Sequence, residues 1–438
     1  MTAPAHFPSS GNFVLKNASV PSAVLGQAIL PVALQRLDVT IADGVIAAIA
    51  PAGSAPIDGE SYDLDAGLLL PAFVDVHTHL DKGHIWPRKA NPDGTFMGAL
   101  LAVAEDRETN WSGHDVERRM DFALRCAYAH GTAAIRTHLD SAPPQHEITW
   151  DIFETVRERW AGKIELQAVA LLGPDLLLHD SMPAVARRAQ AAGGRLGGAI
   201  ADYPEARRAI FAAVDLAGRL GMDIDLHCDE TLERESSALR HLADAVIETG
   251  FTGRALAGHC CVLSVQDEET ARATIERVAE AGVSIVSLPM CNMYLQDRDN
   301  ADSVQTPRFR GVTLVNEFKA AGVPVALASD NTRDPFYAYG DLDPLEVLRE
   351  GARITHFDHP QSQAWNWARA VGADAAAIGG FDYKAEIAVG APADLVLCRA
   401  RHWTELMARP QADRIIVRNG RAIDAALPDY RELDDLME

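Results

Sequence analysis

The sequence predicts an α/β fold: a (β/α)8 barrel of the TIM type, with a small β-sandwich composed of both chain termini. Three observations carry this expectation. From about residue 70 to residue 380, short apolar runs alternate with segments of helical period, the pattern of βα units, and eight such runs can be counted. Gly131, Gly221 and Gly282 fall where helix C-caps are expected. The flanks lack helical period and read as short alternating strands separated by turn residues.

In chain order, the first flank offers strands over Phe13–Ala18, Leu37–Ile41 and Gly44–Ile49. The eight barrel strands are then expected at Leu69–His79, Ala133–Asp140, Ile164–Leu172, Leu196–Tyr203, Asp223–Glu230, Ala255–His259, Ser284–Met290 and Val325–Asp330. Each is a short apolar run, and amphipathic stretches such as Val116–His130, Glu205–Leu220 and Asp267–Gly282 supply the returning helices. The last flank repeats the first, with Gly390–Leu397 and Arg414–Ile423 as strand and turn segments. Neither flank is long enough for its own core, so residues 1–68 and 385–438 are expected to build one sandwich around a barrel of residues 69–384. A doubly wound sheet would explain the same alternation, but the chemistry at the strand ends favours the barrel. The connection from Leu80 to about Ser112 is long, as lids and binding elements often are.

Composition narrows the function. The 438 residues are 48% hydrophobic and 23% charged, as in ordinary globular proteins. A net charge of −22 argues against nucleic acid or an anionic membrane as a partner, because phosphate binding needs clustered Lys and Arg. The longest apolar runs fall short of a membrane span and the N-terminus lacks a signal-peptide pattern, so a cytoplasmic location is expected. The six cysteines show no Cys-x-x-Cys spacing and read as reduced thiols.

The first barrel run ends Asp75-Val-His77-Thr-His79, two imidazoles separated by one residue. Residues two apart on a strand share a face, so the pair is able to take two cis positions on one metal. Later strand ends match it: Asp225-Leu-His227-Cys-Asp-Glu230, Ala257-Gly-His259 and Ser329-Asp330-Asn331. Taken singly, His227 is a core histidine and Asp330 a helix N-cap; taken together they converge where barrel enzymes place their chemistry. His138, at the second strand, reads either as a structural residue or as a hydrogen-bonding wall of the pocket. Imidazole and carboxylate donors suit one divalent metal, Zn²⁺ or Fe²⁺, with a position open for water. Strand four (Gly197-Gly-Ala-Ile200) offers no Lys to bridge two metals, and Cys228, Cys260 and Cys261 read as packing residues. Serine-hydrolase elbow, zinc-protease helix, dinucleotide fingerprint and small zinc-deaminase signatures are missing from the sequence.

These stretches resemble the amidohydrolase superfamily, and within it the cytosine deaminase-like branch. The branch is marked by His227-Cys-Asp-Glu230, by Leu295-Gln-Asp-Arg298 and by Asp330-Asn-Thr-Arg-Asp334-Pro335. The resemblance implies His77, His79, His227 and Asp330 as metal ligands, His259 as a hydrogen-bonding partner of the activated water, and Glu230 as the proton carrier. Asp330 would also relay a proton to the departing ammonia. Barrels of this kind are commonly oligomeric, so a homo-oligomer is expected from the resemblance.

Three positions depart from the cytosine enzymes. Gly173 stands where they carry a Gln that pairs with the pyrimidine edge, Asn331 replaces a second Asp, and Phe336 matches their aromatic floor, a Trp. The reaction centre is retained while Gly173, Asn331 and Phe336, the expected substrate contacts, differ. The expected function is metal-dependent deamination of a nitrogen heterocycle: a cytosine-like base, isocytosine, a pterin or a related cyclic amidine. Hydrolysis of a cyclic amide or an N-alkylamino-triazine C–N bond at the same site is the alternative, and a non-catalytic metal-binding barrel the third reading.

Overall fold

The computed structural model describes residues 7–27, 32–56, 58–201, 203–298 and 306–438. Eight parallel strands follow one another in chain order: Phe73–Thr78, Thr132–Asp140, Glu165–Leu171, Arg195–Ile200, Ile224–Cys228, Ala255–His259, Ser284–Ser287 and Val325–Leu327. The first and last ends meet through a parallel bridge between Thr78 and Asp330, where the Asp330 N–H donates to the His77 carbonyl at 2.9 Å. The expected (β/α)8 barrel is thus present. Helices Gly113–His130, Ala206–Leu220 and Glu268–Ala281 end on Gly131, Gly221 and Gly282, whose φ values of 96°, 65° and 68° are the left-handed caps that glycine accepts without strain.

The first strand differs from its sequence reading. Leu68–Pro71 belongs to the sheet of the termini, pairing antiparallel with Leu395–Cys398, and only Phe73–Thr78 enters the barrel. The switch occurs over two consecutive amides: Ala72 N–H donates to Asp394 and Phe73 N–H to Gly131, both at 2.9 Å. Hydrophobic periodicity cannot reveal such a break, because both halves are buried. Strands five, seven and eight also stop earlier than expected, at Cys228, Ser287 and Leu327, so Glu230 and Asp330 lie on the loops beyond. Strand four stops at Ile200; its expected extension to Tyr203 crosses residue 202, outside the described residues.

Strands from both termini share one sheet of eight, with Leu68–Pro71 between the Phe13–Pro21 strand and the C-terminal strands. Its core gathers Leu15, Val39 and Ile41 from one end of the chain with Leu395 and Val417 from the other. In the barrel, Arg136 donates to Asp225 at 2.7 Å and to Gln167 at 2.8 Å, joining strands two, three and five through a fully buried ion pair. A buried pair of this kind is tolerated only when its remaining hydrogen bonds are satisfied, which Gln167 and the Gly379 carbonyl do here. The long connection after strand one folds into helix Phe96–Asn110, started by the Thr95 hydroxyl accepting from the Gly98 N–H at 2.9 Å. Among the described residues, no helix is long and apolar enough to cross a membrane.

Candidate metal centre and cleft

Strands one, five and eight bring His77, His79, His227 and Asp330 together beyond their carboxyl ends. The Nε2 atoms of His77 and His79 each lie 3.2 Å from Nε2 of His227, and Asp330 Oδ1 lies 3.6 and 3.2 Å from the first two. Donors bound at about 2.0–2.1 Å to a common centre at angles of about 90–120° stand roughly 2.8–3.6 Å apart, so these spacings match one coordination sphere. All four residues are buried, and apart from the Cys291 thiol beside it Asp330 has no hydrogen-bond donor to its carboxylate oxygens among the described residues. An unpaired buried carboxylate beside three converging imidazoles is costly unless a cation neutralises it. Burial, with repulsion from neighbouring rings and from Lys82, pushes the three histidines well below their ordinary range, leaving them neutral as ligands must be. Burial likewise pushes the Asp330 carboxyl up to about 7. The buried His/Asp cluster therefore fits a divalent metal.

Two of the residues sit on unusual backbone. Asp330 and His259 have φ of 66° and 67°, left-handed values that non-glycine residues adopt at a cost and that recur at functional sites. Next to His259, Gly258 leaves room for His77: a Cβ there would stand 2.9 Å from its Cε1. His259 Nδ1 accepts from the Asn292 amide at 2.9 Å and lies 3.3 Å from Glu230 Oε1, while its buried Nε2 has no partner among the described residues. An accepting Nδ1 makes Nε2 the protonated nitrogen, a donor still unspent. Burial and the nearby Asp330 push the Glu230 carboxyl well above its ordinary value, against the opposing pull of Lys82.

A cleft of about 990 Å³ opens above the cluster and is lined by His79, Glu230, His259, Asp330, Gly173, Asn331 and Phe336, among others. Phe336 packs edge-on against Phe96 from the long connection, with ring centroids 5.5 Å apart. Asn331 spends its amide on Asp334 at 2.7 Å. At Gly173 a Cβ would meet only Asp175 Oδ1, at 2.9 Å, so the missing side chain opens the cleft toward that carboxylate. His138 lies elsewhere than the expected pocket wall. It is fully buried, its ring sits 4.0 Å from that of His77, and it is not among the residues lining the cleft. The strand-two register that pairs Arg136 with Gln167 places His138 beside Val169.

Family comparison agrees with this architecture. The sequence model of the Amidohydrolase family matches residues 125–421. A pterin deaminase from Rhizobium rhizogenes (strain K84 / ATCC BAA-868) is 54% identical over 433 residues, covering 98% of both chains. The chain belongs to the amidohydrolase family. Among solved structures, this amidohydrolase resembles 5-methylcytosine deaminase from Klebsiella pneumoniae liganded with phosphonocytosine, with TM-score 0.80 and 24% identity over 95% of this chain and 98% of that one. It also resembles N-isopropylammelide isopropylaminohydrolase from Burkholderia multivorans ATCC 17616, with TM-score 0.71 and 27% identity over 95% and 100% of the two chains.

Several residues of the amidohydrolase site carry no signal that local sequence reading detects. Asn292 lies within a family-like stretch, but its contact with His259 depends on the turn from strand seven into helix Pro289–Leu295. Cys291 joins Glu230 and Asp330 in a close cluster, whereas Cys228, Cys260 and Cys261 belong to no cluster with metal-ligand spacing among the described residues. Lys82, three residues past His79, is buried and lines the cleft. Its position after the His-x-His pair could have drawn attention to it.

Proposed function

We propose that this amidohydrolase deaminates a pterin-like 2-amino-4-oxo heterocycle by hydrolysis, releasing ammonia, with one divalent metal, Zn²⁺ or Fe²⁺, held by His77, His79, His227 and Asp330. The observation that carries the reading is Glu230 beside His259 over the buried His/Asp cluster, in a chain 54% identical end to end to a pterin deaminase. The partner is a small molecule, consistent with the net charge of −22. A divalent cation at the cluster supplies water activation near neutral pH.

The protein's own groups do the rest. Glu230 holds a proton because its carboxyl is desolvated and faces Asp330, and it delivers that proton to the ring nitrogen adjoining the attacked carbon. The Asn292 amide fixes His259 as the Nε2–H tautomer, whose unspent donor steadies the oxygen that becomes the new carbonyl. Asp330, with an oxygen free of hydrogen bonds, takes a proton from the attacking water and passes it to the leaving amine. Water adds to the carbon, the C–N bond breaks, the proton remaining on the new oxygen returns to Glu230, and the products are an oxo ring and ammonia. Phe336 supplies the floor, and the open space at Gly173 admits a second ring.

The isopropylaminohydrolase relative at 27% identity keeps a second reading in play, removal of an alkylamine from a triazine. Both are tested by incubating metal-replete protein with pterin, isocytosine, cytosine and N-isopropylammelide and measuring ammonia and isopropylamine. Pterin is expected to release ammonia fastest. Isopropylamine release without ammonia from any ring would replace deamination by the second reading, and no release from any ring would end both.

A further inference from the structure

Lys82 is a buried ammonium that pulls on the Glu230 carboxyl but is neither a metal ligand nor a proton carrier. It is 5% exposed and lines the same cleft as His79, Glu230, His259 and Phe336. Its Nζ lies 3.5 Å from Asp140 Oδ1 and 5.0 Å from the centroid of the Phe336 ring. Asp140 is itself held fast, with Oδ2 accepting from Arg107 Nη1 at 2.9 Å and its N–H donating to Asp81 at 2.7 Å. An ammonium carries three N–H donors and no acceptor. Asp140 takes one of them, at the long end of the hydrogen-bond range, and the others remain for the occupant of the cleft. The anchor is rigid, and the ammonium stands inside the cleft over the face of the Phe336 ring.

The surroundings decide what that occupant presents. Asp81, Asp140, Asp330 and Asp334 all act on Lys82. Asp140, the carboxylate in contact with the ammonium at 3.5 Å, already balances its charge, so the matching group is a neutral oxygen acceptor and not a second anion. We propose that Lys82 is a specificity-determining residue that donates to the ring oxo group of a 2-amino-4-oxo heterocycle, selecting it over the same ring without the oxygen. This rests on the deaminase reading and names the substrate edge which that reading leaves open. A hydrogen bond from a buried charged donor is commonly worth on the order of 10- to 100-fold in discrimination.

The test compares pterin with 2-aminopteridine, the same bicycle lacking the oxo group, as substrates of the metal-loaded wild type, Lys82→Met and Lys82→Gln. The ratio of kcat/KM for pterin to that for 2-aminopteridine is expected to fall about 10- to 100-fold in Lys82→Met, mainly through KM for pterin. Lys82→Gln, which keeps N–H donors, is expected to recover at least about threefold of that ratio. Metal content is measured on each preparation. A ratio within about threefold of wild type in Lys82→Met, including equal losses on both rings, would overturn the assignment of Lys82. Failure of the wild type to release ammonia from pterin would instead overturn the deaminase reading, and Lys82's role with it.

Discussion

Gly258→Ala adds one methyl group to the barrel and should loosen the metal. Gly258 precedes His259 on strand six and pairs in register with His227. Its new Cβ would stand 2.9 Å from His77 Cε1 and 3.2 Å from His77 Nδ1. Carbon atoms in ordinary contact keep about 3.5–4.0 Å, so the ring must retreat by roughly 0.6 Å or more. Metal–ligand distances tolerate only about 0.2 Å, and His77 has no slack because it also packs on His138 at 4.0 Å between centroids. Disturbing a ligand's support typically lowers metal affinity about 10- to 100-fold, and the displaced ring belongs to the ligand set itself, so the upper end is expected. The overpacking should cost about 1–3 kcal/mol of stability, leaving the fold intact. The assay equilibrates both proteins against a chelator-buffered metal series and reads bound metal, with thermal unfolding of the metal-free proteins as the fold control. An affinity within about threefold of wild type, in a folded variant, would refute the reasoning.

Two further substitutions have expected outcomes. Glu230→Gln should lower kcat for ammonia release about 10²- to 10⁴-fold with metal content unchanged; loss of metal together with activity would make Glu230 a ligand and not a proton carrier. Asp115 tests a buried charge network away from the site, where Arg119 and Arg88 donate to its carboxylate. Burial pushes the Asp115 carboxyl up, but Arg119 and Arg88 outweigh it and hold the group below its ordinary range. A carboxyl depressed in the folded state contributes stability above its unfolded pKa of about 3.9, and that contribution is lost as pH falls through the folded value. Asp115→Asn should therefore destabilise by about 3–5 kcal/mol at pH 7, by leaving Arg119 buried and unpaired, with a penalty that shrinks below about pH 4 in denaturant titrations. A penalty that grows toward acid would contradict the sign.

The barrel was legible because its strands are short apolar runs and its helices end on glycines, both local signals. The four clustered residues were legible because each falls at or just past a strand end, and a barrel brings strand ends together whatever the loops do. What stayed hidden depends on distant partners. The switch of Leu68–Pro71 into the other sheet is set by Leu395–Cys398, more than three hundred residues away in sequence. His138 read equally as a structural residue or a pocket wall, and only the packing of its ring 4.0 Å from that of His77 separates the two. Lys82, Asn292 and Gly258 acquire meaning only from Asp140, His259 and His77, contacts that no spacing rule supplies.

The central claim is that a single divalent metal at His77, His79, His227 and Asp330 makes this chain a deaminase. It is tested most directly by adding Zn²⁺ or Fe²⁺ in measured increments to chelated protein and following ammonia release from pterin. The account requires activity that rises linearly with bound metal and levels off at one equivalent per chain. Ammonia release that is independent of metal, or that rises until a second equivalent is bound, would contradict it.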